Sequence, residues 1–165
     1  MVPEHSRNQI LVDIVVIARI LWLFYTCSSS MTKKILIIDD EPDIVMYLKV
    51  LLENSGYSVV TASNGQEGFE LARAEMPDLV CLDIMMPRKT GVALYQEIKT
   101  DPKLKKLPCI IISAYESAYS FKGQAFRRLV QDRTIPEPLR FFEKPIDVDV
   151  FLEFINGYLS KAKKK

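Results

Sequence analysis

From Met31 onward, short apolar runs alternate with stretches whose apolar positions repeat at helical spacing. Runs at 35–38, 57–60, 79–82, 109–112 and 140–142 predict β-strands. The third and fourth, "LVCL" and "CIII", are apolar at every position, the pattern of strands covered on both faces. Helices are predicted between them. Pro42 suits a first helical turn after an acidic cap, Ile44, Leu48, Leu51 and Leu52 recur on one side, and Gly56 stops the pattern. Asn64 can cap a second helix carrying Phe69, Leu71 and Ala72, which Pro77 ends. Gly91–Lys99 reads as a third, and Asp147–Ser160 as the last, with Val148, Phe151, Leu152, Ile155 and Leu159 on its buried side. Such alternation implies an α/β fold: a parallel sheet, helices on both faces, right-handed crossovers.

Polar residues stand where the apolar runs end. "KILIIDDEPDI" carries four apolar residues straight into Asp39, Asp40 and Glu41. Close carboxylates repel one another, so the cluster either caps the next helix or faces something positive. In doubly wound sheets, ligands bind beyond the carboxyl ends of the strands. Asp39 and Asp40 follow the first strand, Asp83 the third, Ser113 the fourth and Lys144 the fifth. Each alone also has a plain structural reading: a helix cap for the acids after the first strand, a turn residue for Asp83, a satisfied hydroxyl for Ser113, a solvated lysine for Lys144. Together they place three carboxylates, a hydroxyl and an ammonium at one edge. Three carboxylates form a hard-oxygen site suited to Mg²⁺, and lysine and serine suit an anion. The pocket therefore fits a metal-bound phosphoryl group. A carboxylate can itself accept that group as an acyl phosphate, and Asp83, alone at its strand end, is the natural acceptor.

Composition narrows the reading. The chain has 165 residues, enough for one domain with a core, and a net charge of +1 argues against a nucleic-acid-binding field. The single histidine, His5, lies far from the predicted sheet, so a histidine-based catalytic or metal site in the core is not expected. Cys27, Cys81 and Cys109 match no zinc spacing, and two lie within apolar runs, as buried reduced thiols of a cytoplasmic protein do.

Residues 1–30 stand apart from the domain. The run at 10–27 is apolar except for Asp13 and Arg19. It reads as a membrane anchor carrying two costly charges, as an export signal, or as a leader before a true start at Met31. An anchor would leave the domain cytoplasmic, because Lys33 and Lys34 follow it. Residues 161–165 form a basic tail.

The stretches "ILIIDDEPDI", "DLVCLDIMMPRKTG", "PCIIISAY" and "FFEKPID" make residues 31–160 resemble the receiver domain of two-component response regulators. The resemblance implies a flavodoxin-like fold with strand order 2-1-3-4-5. It implies that Asp83 takes a phosphoryl group from a histidine kinase or phosphotransfer protein, and that Mg²⁺ is bound by Asp40, Asp83 and the Met85 backbone carbonyl, with Asp39 acting mainly through water. Lys144 would contact the phosphoryl group, and Ser113 would move to hydrogen-bond it. Phe141 resembles the aromatic switch residue, and Met85 and Tyr115 occupy positions that tune dephosphorylation.

The stretch between Ser113 and Lys144 departs from the family. It is longer than usual and contains Arg127-Arg128 and "TIPEPLR". It reads as a tolerated surface insertion or as a dedicated partner site. Little chain follows the last helix, so no direct nucleic-acid contact is expected and output would pass through an unknown downstream protein. The main alternative is a phosphorylation-independent scaffold. A haloacid dehalogenase-type hydrolase would need a second acid where Met85 stands.

Overall fold

The computed structural model describes residues 32–86, 90–114 and 126–161. Contacts divide the chain into two units, Met1–Thr32 and Lys33–Lys165. The first lies outside the described residues except for Thr32, as do Tyr115 and residues 162–165 of the basic tail. No helix among the described residues is long and apolar enough to cross a membrane.

The second unit contains a parallel five-stranded sheet in the order β2-β1-β3-β4-β5. Its strands are β1 (Lys34–Ile38), β2 (Ser58–Ala62), β3 (Leu79–Asp83), β4 (Cys109–Ser113) and β5 (Phe141–Glu143). The helices are α1 (Pro42–Asn54), α2 (Gly65–Glu75), α3 (Gly91–Thr100), α4 (Phe126–Leu129) and α5 (Val148–Lys161). The flavodoxin-like order and the helices on both faces agree with expectation.

Two cores flank the sheet. On one face Leu36, Ile38, Val80, Leu82 and Ile111 meet Ala72 of α2 and Leu94, Tyr95 and Ile98 of α3. On the other, Ile35, Ile37, Cys81, Ile110 and Ile112 meet Leu48 and Leu52 of α1 and Phe151, Ile155 and Leu159 of α5. Side chains alternate across a strand, so a continuously apolar strand feeds both cores. All five residues of β3 and of β4 are buried. Cys81 and Cys109 fall on opposite faces, both free and buried. Burial raises both thiols, Cys109 to about 11 even with Lys99 beside it, so neither is a reactive thiolate near neutrality.

The helix ends follow their sequence signals, with one exception. The Asn64 side chain accepts from the N–H groups of Gln66 and Glu67, at 3.1 and 3.0 Å. After α1, Gly56 adopts φ +86°, and the Tyr57 N–H returns to the Leu52 carbonyl at 3.1 Å. The exception is the acidic cap on α1. Glu41 occupies the cap position but makes no capping bond through its side chain. Its carboxylate lies instead 2.7 Å from Lys144.

Boundaries shift by a residue or two: β2 runs on to Ala62 and β5 begins at Phe141. The parallel ladder causes this, since each position of β1 has a partner on β2 whatever the polarity of Thr61. The altered stretch holds only one turn of helix among its described residues, α4. That part is not a surface insertion. Phe126, Val130 and Ile135 are buried in the core shared with Tyr95. The Tyr95 hydroxyl donates to the Pro136 carbonyl at 2.9 Å, and an Arg127 guanidinium N–H donates to the Ile135 carbonyl at 2.9 Å.

Candidate functional site

Parallel strands end at one edge, and that edge gathers the predicted residues. Asp39 leaves β1, Asp83 closes β3, Ser113 closes β4, and Lys144 follows β5. Asp39, Asp83 and Ser113 are the buried polar residues of the described core. The Lys144 ammonium lies 2.8 Å from Asp39 Oδ2, 2.8 Å from Asp83 Oδ2 and 2.7 Å from Glu41 Oε1. The Lys144 backbone N–H donates to the Ser113 carbonyl at 2.9 Å.

The carboxylates are oriented from their other oxygens. Asp83 Oδ1 accepts the Met85 N–H at 2.8 Å, and Asp39 Oδ1 accepts the Glu41 N–H at 2.9 Å. Burial raises the Asp39 carboxyl above its ordinary range. The bonds from Lys144 and the Glu41 N–H pull the other way, and the neighbouring Asp83 charge adds to the rise. Such an acid binds its proton more readily folded than unfolded. Ionised Asp39 therefore costs stability at neutral pH, and the cost fades as pH falls through the raised value. For Lys144 burial opposes the charge, but the bonds to Asp39, Asp83 and Glu41 outweigh it and hold the ammonium protonated.

Three carboxylates to one ammonium leave the pocket with surplus negative charge. The carboxylates of Asp39, Glu41 and Asp83 offer oxygens that all lie within 4.8 Å of one another. This hard-oxygen set fits a small divalent cation. Asp40, expected to coordinate directly, is exposed, and so is Glu41, although a Glu41 carboxylate oxygen reaches the cluster. Glu41 drew no ligand role from the sequence. The signal was there in the run of three acids, but which of them reach the pocket depends on where α1 begins. Met85 presents its N–H to Asp83 while its side chain is 59% exposed. Phe141 is buried in register with Ile111, its ring 6.1 Å from that of Phe126.

Gly91 sets the back wall of the site. A Cβ there would stand 2.0 Å from the Asp83 carbonyl oxygen and 2.5 Å from the Ile84 Cα, both backbone atoms that cannot swing aside. Only glycine lets α3 start this close to the end of β3. Gly91→Ala is expected to lower stability by about 1–3 kcal/mol through overpacking, read from the urea midpoint, and to weaken the pocket by displacing the segment after Asp83.

The 2-1-3-4-5 parallel sheet with helices on both faces is the flavodoxin-like fold, here with clustered carboxylates and a lysine at its carboxyl edge. Residues 35–134 match the model of the response regulator receiver domain, and the chain belongs to that family. Receiver domains are phosphoacceptor switches of two-component signalling, and they bind Mg²⁺ at an acidic pocket. The chain is 32% identical over 132 residues to the polar-differentiation response regulator DivK of Brucella ovis, covering 80% of this chain and 100% of DivK. It is 38% identical over 89 residues to the alkaline phosphatase synthesis transcriptional regulatory protein PhoP of Bacillus subtilis, covering 54% of this chain but only 36% of PhoP. Among solved structures, a CheY-like receiver domain protein from Methanospirillum hungatei is 26% identical with a TM-score of 0.66, covering 81% of this chain and 98% of that one.

Proposed function

We propose that this protein is a response regulator whose Asp83 accepts a phosphoryl group from a histidine kinase or phosphotransfer protein, and whose output is a change in protein contacts. The observation that carries the reading is the buried Asp83 carboxylate, fixed at one oxygen by the Met85 N–H and at the other by Lys144. An acceptor held at both oxygens needs little besides in-line approach and charge neutralisation. One carboxylate oxygen would attack phosphorus, and the donor's leaving atom would depart with its electron pair.

Asp40, Asp83 and the Met85 backbone carbonyl, with Asp39 through water and the Glu41 carboxylate close by, would hold Mg²⁺, which supplies charge neutralisation for the incoming phosphoryl oxygens. Lys144 would pair with those oxygens as a point charge. The Ser113 hydroxyl, at the end of β4, would donate to them, and Phe141 would follow its shift as the aromatic switch. Met85 and Tyr115 would tune loss of the phosphoryl group.

The test is intact mass after incubation with acetyl phosphate. A gain of one phosphoryl group that requires Mg²⁺ is expected. No gain would shift the reading to a phosphorylation-independent scaffold. Mg²⁺ alone should also stabilise the fold, because it relieves the surplus negative charge. At a hundredfold excess over its dissociation constant the gain is about 2.7 kcal/mol, visible as a higher Tm that a chelator reverses.

A further inference from the structure

Among the described residues, the two ends of the sheet differ in charge. The carboxyl edge of the sheet holds Asp39, Glu41 and Asp83, with Asp40 and Glu143 beside them. At the amino edge the balance reverses. Lys33 and Lys34 enter β1 there and pair with Asp78 and Glu75, each at 2.7 Å. Arg73 in the last turn of α2 stands 3.8 Å from Asp101, just beyond α3. Those pairs neutralise one another. Lys103, Lys105 and Lys106, on the turn from α3 into β4, are exposed and make no ion pair among the described residues. The last half of α5 returns to the same edge, where Asn156 accepts a hydrogen bond from Tyr57, the residue before β2. That helix ends in Lys161, and Lys163, Lys164 and Lys165 follow in the sequence. Against these lysines stand Glu53 and Glu97, in the last turns of α1 and α3.

A second observation lies in the sequence. Lys33, at this basic edge, comes six residues after the apolar run that ends at Cys27. Anionic lipid surfaces attract basic segments that lie next to an apolar stretch of chain. The acidic pocket at the far end would be repelled by the same surface. We propose that the amino edge of the sheet, centred on Lys103, Lys105 and Lys106, lies against an anionic lipid surface. The Asp83 pocket then faces away from the lipid, open to a phosphodonor in solution. This surface is independent of the pocket's chemistry.

The experiment is flotation of the full chain with phosphatidylcholine vesicles and with vesicles containing about a third phosphatidylglycerol. Each lysine near an anionic surface adds about fivefold in affinity. The combined variant K103Q/K105Q/K106Q should therefore lose roughly a hundredfold in binding to the anionic vesicles and nothing on the neutral ones. The corresponding Lys→Arg variant should keep the preference, and added salt should weaken it. These side chains are exposed and unpaired, so the melting curve should not move. Equal binding to both vesicle types overturns the proposal, as does a preference that the glutamine variant retains. Tighter binding to a DNA duplex than to the anionic vesicles would overturn it too, assigning the edge to nucleic acid.

Discussion

Asp83→Asn is expected to abolish phosphoryl incorporation from acetyl phosphate while leaving the fold intact. The carboxylate is buried, with one oxygen accepting from Met85 and the other from Lys144. An amide of the same shape still offers an oxygen to one of those donors but lacks the anionic nucleophile. Intact mass should show no added phosphoryl group under conditions that label the native protein. Without Mg²⁺ the variant should melt at the same temperature or higher, because three carboxylates share one ammonium and one of them has been neutralised. The pairing of lost labelling with retained melting separates a missing nucleophile from a broken fold. If labelling persists, the acceptor is another acid of the cluster, and Asp39 and Glu41 are next in line.

Phe126→Ala is expected to lower stability by about 3–5 kcal/mol, read as a lower urea midpoint with an unchanged slope. Phe126 is 2% exposed, and its ring sits edge-on to Tyr95 at 5.7 Å and to Phe141 at 6.1 Å. Removing it opens a cavity between α3 and β5 that the neighbours cannot all fill. Leu129→Ala, on the same short helix but 50% exposed, should cost no more than about 0.5 kcal/mol. Similar small costs at both positions would mean that the segment is a surface excursion after all. The proposed switch ring of Phe141 packs on this segment, so the first variant should also alter any change that labelling produces there.

The sheet and its order were legible because the signals were redundant. Five apolar runs alternate with helical periods, and two of the runs are apolar at every position. The pocket was legible for the same reason. Asp39, Asp83, Ser113 and Lys144 each follow a strand, and parallel strands must finish at one edge. What the sequence hid was local. Which of three consecutive acids reach Lys144 depends on the start of α1, and there Glu41 pairs with Lys144 instead of capping the helix. The role of the altered stretch was hidden as well. Phe126, Val130 and Ile135 carry no periodicity that separates a packed irregular segment from an exposed one. They are buried in the core that α3 supplies from far earlier in the chain, with the Tyr95 ring edge-on to Phe126. The closeness of Gly91 to Asp83 is likewise a matter of helix placement, and glycine before a helix has many other uses.

Lys144 is fastened at both ends. Its main chain bonds to Ser113, and its tip touches three carboxylates. A lysine side chain ordinarily keeps up to about 2 kcal/mol of rotamer entropy, and one held this way has given it up. Any anion that takes carboxylates off the ammonium without gripping it as tightly returns part of that freedom. Relative to the pocket with such an anion bound, the anion-free pocket is the more ordered of the two arrangements around this side chain, and warming would favour the looser one.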